Sequence, residues 1–203
     1  MIRPAAASAW DRDRRCAINN VKMGPFRPVL ATLGFAIAFL LAGCAPARPG
    51  PQGTVILISI DGYRWDYFDS IPTPGLTRLA REGTRAERMV PVFPSKTFPN
   101  HYSIVTGLYP EQHGIVSNNI YDPALDARFS LGDRSAVEDP RWWGGEPIWV
   151  AVERQGGTAA AFFWPGTEAP IGGVRPTRWK PYDGRVPNFD RVDTVLAWLD
   201  LPE

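Results

Sequence analysis

Cysteine and histidine are scarce in this 203-residue chain, which carries only Cys16 and Cys44, His101 and His113. Two cysteines exclude a disulfide framework and a multi-cysteine zinc pattern. Two histidines cannot furnish a dinuclear metal site by themselves, so a satisfied structural role is the expectation for both. An excess of either charge is lacking too. With 22 Lys+Arg against 21 Asp+Glu the formal net charge is +1, leaving no basic surplus to hold a nucleic-acid polymer. Internal repeats and heptads are absent, which sets aside solenoids and coiled coils. What remains is an ordinary globular composition, 44% hydrophobic, with 21 prolines and 19 glycines concentrated between candidate elements.

The stretch from Pro28 to Ala47 holds no charge, and Lys22 and Arg27 precede it. Its apolar centre, Val29 to Leu41, has the length of a signal-peptide core. It runs into Leu41-Ala42-Gly43-Cys44, which resembles the lipobox of bacterial lipoprotein signals, where the cysteine sulfur takes the lipid. A permanent membrane anchor is the alternative, because about 20 uncharged residues can span a bilayer. Either way the following domain is expected outside the cytoplasmic membrane, facing the periplasm or the cell exterior. Residues 1–22 show mixed charge and no pattern, and Met23 opens a more regular signal, so Met23 is a candidate start. The expected organisation is 1–22 as a mis-assigned start or disordered, 23–43 as signal peptide, 44–53 as a Pro/Gly-rich tether, and 54–203 as a catalytic portion.

Thr54 to Ile60 is an unbroken apolar, β-branched run, as in a strand buried on both faces, and Asp61-Gly62 ends it. Thr73 and Pro74 read as N-cap and first helical position of a helix that Gly83 closes. A short strand, Met89 to Phe93, precedes Pro94-Ser-Lys-Thr97, and Pro99 starts a second helix that reaches about Thr106. Further expectations are a helix from Pro147 to about Arg154, a strand from Thr158 to Phe163, and a helix from about Phe189 to Leu199. Strands alternating with helices imply an α/β fold with a mostly parallel central sheet flanked by helices. Ligands in such sheets bind beyond the carboxyl ends of the strands, where both Asp61 and Thr97 fall.

A carboxylate at the end of a buried strand is costly unless paired or metal-bound, so Asp61 is either a metal ligand or the cap of the next turn. Thr97, two residues before a helix-starting proline, faces free backbone N–H groups that favour phosphate; the plainer reading is an N-cap. Lys96 is a phosphate-facing charge or a solvated side chain. Asn118 sits in a loop where an amide caps a turn or donates to a phosphate oxygen.

The combination says more. Asp61-Gly-Tyr-Arg, the segment Phe93-Pro-Ser-Lys-Thr-Phe-Pro-Asn-His-Tyr through Asn118 to Pro123, Gly145-Glu-Pro-Ile-Trp149, Phe162-Phe-Trp-Pro-Gly166 and the Leu-Ala-Trp-Leu-Asp-Leu-Pro202 ending stand in one order. Together they resemble the nucleotide pyrophosphatase/phosphodiesterase family of the alkaline phosphatase superfamily, over almost all of residues 54–203. The resemblance implies an alkaline phosphatase-like fold and two zinc ions, with Asp61 a zinc ligand and Thr97 both nucleophile and zinc ligand. Asn118 matches an asparagine that holds a nonbridging phosphate oxygen, and Phe98 an aromatic that contacts the base. Trp142, Trp143 and Phe162 match loosely a region that stacks a base or packs a substrate tail, with core packing the alternative for Phe162. The substrate implied is a nucleotide or another small phosphodiester.

Family members draw their other zinc ligands from beyond the helix that ends near Leu199, so this chain supplies two of about six. The expectation is a truncated domain, inactive on its own. A phospholipid-type diesterase and an inactive lipoprotein fragment are the alternatives; a sulfatase is disfavoured, since no Cys/Ser-x-Pro-x-Arg signature stands at the Thr97 position, the one match, Cys44 to Arg48, falling in the signal and tether segment.

Overall fold

A computed structural model of the chain describes residues 53–201. The expected signal peptide (23–43), its leader (1–22), the lipidation residue Cys44 and all of the tether except Gly53 lie outside the described residues. Among those residues no helix is long and apolar enough to cross a membrane.

Helices form where caps and spacing call for them. After the single turn α1 (Tyr67–Ser70), α2 spans Pro74–Glu82 with Pro74 at its start and Gly83 at its end, as expected. Thr73 does not cap it, however. Its hydroxyl is unpartnered, because the backbone there (φ −129°, ψ 73°) turns the side chain away from the first N–H groups. The Thr77 N–H and hydroxyl bond the Thr73 carbonyl instead. Helix α3, Thr97–Thr106, begins two residues before Pro99, since proline is tolerated anywhere in a first turn. It ends at Gly107, whose left-handed φ of 68° lets its N–H reach the Ser103 carbonyl at 2.9 Å. The short α4 (Pro110–His113) follows at once.

A hairpin comes next, of β1 (Asn119–Asp122) and β2 (Ala127–Ser130), paired antiparallel with Asn119 opposite Ser130. Its turn is built by Asp122, which accepts from the Ala124 and Leu125 N–H groups at 2.7 and 3.3 Å. Asp126 takes the left-handed position at φ 44°, and the Tyr121 hydroxyl donates to its carboxylate. Asp133 caps α5 (Arg134–Val137), and a 3₁₀ turn occupies Pro140–Trp142. Helix α6 (Ile148–Arg154) agrees with the sequence reading, with Pro147 at its cap position. The strand foreseen at Thr158–Phe163 is realised as β3 (Ala160–Phe162), paired in parallel with β4 (Arg178–Lys180). Helix α7, Asn188–Leu199, matches the last expected helix within one residue.

Two expected strands are corrected. Thr54–Ile60 and Met89–Phe93 carry no strand assignment, because a strand needs a hydrogen-bonded neighbour and the described residues provide neither run with one. Their side chains stand open: Val55, Val90 and Phe93 are 88%, 79% and 91% exposed. The sheet among the described residues is therefore the parallel pair β3–β4 and the separate β1–β2 hairpin, not a wide central sheet.

The core lies around α3. Tyr102, on the inward face of that helix, meets the Trp143 ring edge-on at 4.9 Å and the His113 ring at 4.9 Å. Phe129 of β2 closes on Trp142 and Trp143 at 5.6 and 5.7 Å. Val105, Ile115, Val137, Trp149 and Val150 complete the cluster. Each large apolar side chain buried here contributes about 1.5–3 kcal/mol. Gly166, at φ 96°, lies so close that an added Cβ would stand 3.1 Å from the Trp143 ring and 3.2 Å from Tyr102. Trp142 and Trp143 are thus packed away at 5% and 4% exposure, which corrects their reading as substrate-stacking rings. Phe162 lies elsewhere, half-buried between Phe163 and Trp198.

Candidate functional site

The amino end of α3 gathers the residues singled out in the sequence. Lys96 takes the extended N-cap position without capping the helix by its side chain, so Thr97 is the first helical residue and not the cap. The Thr97 hydroxyl is free for another partner, and it donates to the Asp61 Oδ2 at 3.2 Å. Asp61 reaches it from the turn that closes on Gly62 (φ 70°), where the Tyr63 N–H bonds the Ile60 carbonyl. Both members of the pair are open to solvent on one side.

Asn118 comes to the same place from the loop before β1. Its Oδ1 accepts the Phe98 N–H at 3.0 Å, one of the first-turn amides that a helix cannot satisfy internally. That bond fixes the amide's orientation and leaves the Nδ2 donors for a ligand. Lys96 extends to the Ser117 hydroxyl at 3.3 Å, which holds its ammonium beside Asn118. Phe98 leans inward on Phe129 and Trp143 at 5.8 and 6.0 Å and stays half-buried, so part of its ring remains accessible. All five predicted residues of the described chain therefore converge: Asp61, Lys96, Thr97, Phe98 and Asn118.

Neither histidine joins them. His113 is fully buried, with Nδ1 accepting the Ile115 N–H at 3.2 Å and Nε2 2.9 Å from the Ser103 hydroxyl. Burial holds its pKa below the ordinary value, against weaker upward pulls from the backbone of Pro99 and of His113 itself. His101 is tied to Ser59 and to the Thr97 carbonyl. Ser59 is the residue that sequence reasoning missed. Nothing local marks it, since its partner lies 42 positions away.

The Asp61 carboxylate and the Thr97 hydroxyl suit a shared divalent cation in kind and placement. They do not complete a site: among the described residues no group of three or more His, Cys, Asp or Glu converges, whereas a zinc ion takes about four ligands.

Comparison with known proteins bears on this arrangement. The family profile described as type I phosphodiesterase / nucleotide pyrophosphatase matches residues 55–203. A venom phosphodiesterase of Crotalus durissus collilineatus is 49% identical over 154 residues, covering 75% of this chain and 18% of that protein. Human ectonucleotide pyrophosphatase/phosphodiesterase family member 1 is 47% identical over 150 residues, 73% of this chain and 16% of its own length. Among solved structures, murine ectonucleotide pyrophosphatase/phosphodiesterase 5 superposes with a TM-score of 0.70 at 38% identity, over 73% of this chain and 40% of that one. An inactive threonine-to-alanine variant of the same murine protein, in complex with AMP, gives a TM-score of 0.67 at 38% identity, over 70% and 38% of the two chains. The chain thus spans under a fifth of the length of these curated relatives.

Proposed function

The chain belongs to the type I phosphodiesterase / nucleotide pyrophosphatase family, with its alkaline phosphatase-like α/β fold, and from that premise we propose that the full-length protein hydrolyses nucleotide-type phosphodiester or pyrophosphate bonds through Thr97. The observation that carries the reading is the Thr97–Asp61 pair at the open amino end of α3. A hydroxyl at that place faces an anion-favouring helix terminus. Its proton is directed at Asp61, which leaves the oxygen lone pairs for the phosphorus.

In the proposed reaction the Thr97 Oγ attacks phosphorus, the bond to the leaving oxygen breaks, and a phosphothreonine diester forms that water then hydrolyses. Asn118 holds a nonbridging oxygen through Nδ2, the α3 amides add their partial positive charge, and Lys96 offsets the charge of the phosphate. The accessible part of Phe98 offers an apolar face to a base. Zinc is the metal proposed, held by Asp61 and Thr97 with ligands from outside the described residues; when bound it supplies a Lewis acid that favours the threonine alkoxide. The AMP complex and the inactive threonine variant of the murine relative support a nucleotide substrate and a threonine nucleophile.

The test is hydrolysis of a nitrophenyl nucleoside monophosphate diester by the full-length protein. Chelators and Thr97→Ala are each expected to abolish it, and activity surviving Thr97→Ala defeats the nucleophile assignment. We further propose lipid attachment at Cys44 and a periplasmic or extracellular location, on the Leu41–Cys44 motif alone. Cys44→Ser is expected to move the protein from the membrane to the soluble fraction; unchanged partitioning refutes the attachment.

A further inference from the structure

His101 stands on the second turn of α3, 7% exposed, and takes no part in the reaction proposed above. Its Nδ1 lies 2.7 Å from the Thr97 carbonyl oxygen, which can only accept, so Nδ1 carries a proton. The Nε2 atom lies 2.8 Å from the Ser59 Oγ. In the neutral ring Nε2 is then bare and accepts the Ser59 hydroxyl proton. Trp164 fixes the ring from the side, edge-on at 5.5 Å, while its indole Nε1 donates to the His101 carbonyl at 3.2 Å. The residue before it, Phe163, holds a left-handed φ of 62°, a conformation that an aromatic side chain adopts only under the constraint of its surroundings.

Ser59 is two positions from Asp61, on the run that has no ladder to hold it. Two side-chain hydrogen bonds join that run to α3, Ser59–His101 and Thr97–Asp61. The second is solvent-exposed and long, and water competes for it directly. The first ends on a buried imidazole whose other nitrogen is already committed. A half-buried bond whose imidazole end is shielded and has both ring nitrogens engaged exchanges with water less readily than the exposed pair, so it is the better candidate to set the spacing between the two arms.

We propose that His101 is a positioning residue: through Ser59 on one side and the Thr97 carbonyl on the other, it holds the Asp61 arm against the amino end of α3. The proposal rests on the reading of Thr97 as nucleophile for its catalytic consequence, but the linkage itself does not depend on that reading.

Two variants of the full-length protein separate the possibilities. Ser59→Ala removes the far end of the link. His101→Asn keeps a donor for the Thr97 carbonyl and loses the reach to Ser59. Each is expected to lower kcat by about 10- to 100-fold on the nitrophenyl diester, with KM held within about twofold, because a misplacement near 1 Å can cost up to about 100-fold. The double variant loses no more than the larger single one, since both cut one link. Ring nitrogen correlation spectra of the wild type above neutral pH are expected to show His101 protonated at Nδ1 and bare at Nε2.

The opposite tautomer overturns the proposal, as does an unchanged kcat in folded Ser59→Ala. A merely structural role gives a lower melting temperature with kcat of the folded protein intact. If His101→Asn does not fold, Ser59→Ala decides. Should the wild type turn over no phosphodiester, the Thr97 reading fails, and the tautomer alone then judges the link.

Discussion

The carbonyl of Asn118 is spent on the Phe98 N–H, so its amino group is what remains for the phosphate oxygen proposed above. Replacing it by alanine removes both bonds, and the expected loss in kcat/KM corresponds to about 2.7–4 kcal/mol of transition-state stabilisation. Asn118→Asp keeps the acceptor for Phe98 but sets a negative charge where the donor stood. It is expected to fold normally and to be at least as inactive; near-wild-type turnover by Asn118→Asp would remove Asn118 from the phosphate. Tyr102 illustrates the opposite case at the same scale. Its hydroxyl is fully buried with no hydrogen-bond partner, and burial raises its pKa. Tyr102→Phe removes a polar atom that cost desolvation and gained no bond, so it is expected to stabilise the chain by about 1 kcal/mol, read as a higher urea midpoint. A lower midpoint would show that the hydroxyl has a partner in solution.

At the level of elements, α3 carries both the core and the site, and its carboxyl end is set by Gly107 at φ 68°. A Cβ there would meet nothing within 4 Å, so Gly107→Ala has a conformational cost alone, expected at about 1–2 kcal/mol in thermal or urea unfolding. Helices α2, α3, α6 and α7 were legible in the sequence because proline, glycine and apolar spacing mark them locally. The β1–β2 hairpin was not: four-residue strands such as Asn-Ile-Tyr-Asp have too little alternation to register, and the Asx turn at Asp122 is a side-chain device. The runs at Thr54–Ile60 and Met89–Phe93 read as strands because their composition suits a pleated surface. Composition cannot supply the neighbouring strand. Within the site a long motif named Asp61, Thr97, Phe98 and Asn118 and implied that Asp61 and Thr97 share a site, and Lys96 was read from its charge, whereas the bonds among these residues were not legible. The Thr97–Asp61 bond joins positions 36 apart, and only the folded chain brings them to 3.2 Å.

Taken whole, residues 53–201 are divided between a dense aromatic core and open apolar runs. The side chains of Val55, Ile58, Val90 and Phe93 offer apolar surface next to unpaired backbone, the combination that invites edge-to-edge pairing. The 203-residue chain is therefore expected to self-associate with concentration in sedimentation velocity, and Val55→Lys with Phe93→Lys to reduce it. Stability should also vary with pH through His113. Its folded pKa lies below the ordinary 6.5, so the unfolded chain takes up the proton first. Stability is complete above that value and falls as the pH drops through it toward the folded pKa, by at most about 1.4 kcal/mol per unit. Urea midpoints measured on both sides of neutrality check this, and His113→Gln should flatten the slope. The packing of Phe98 against Trp143, and of Trp143 against Tyr102 and Phe129, has an optical consequence. Rings held rigidly in a chiral cluster give near-ultraviolet circular dichroism that vanishes when fixed packing is lost. Phe98, the neighbour of the proposed nucleophile Thr97, is part of that chromophore, so a cuvette can report the order of the site before any substrate is added.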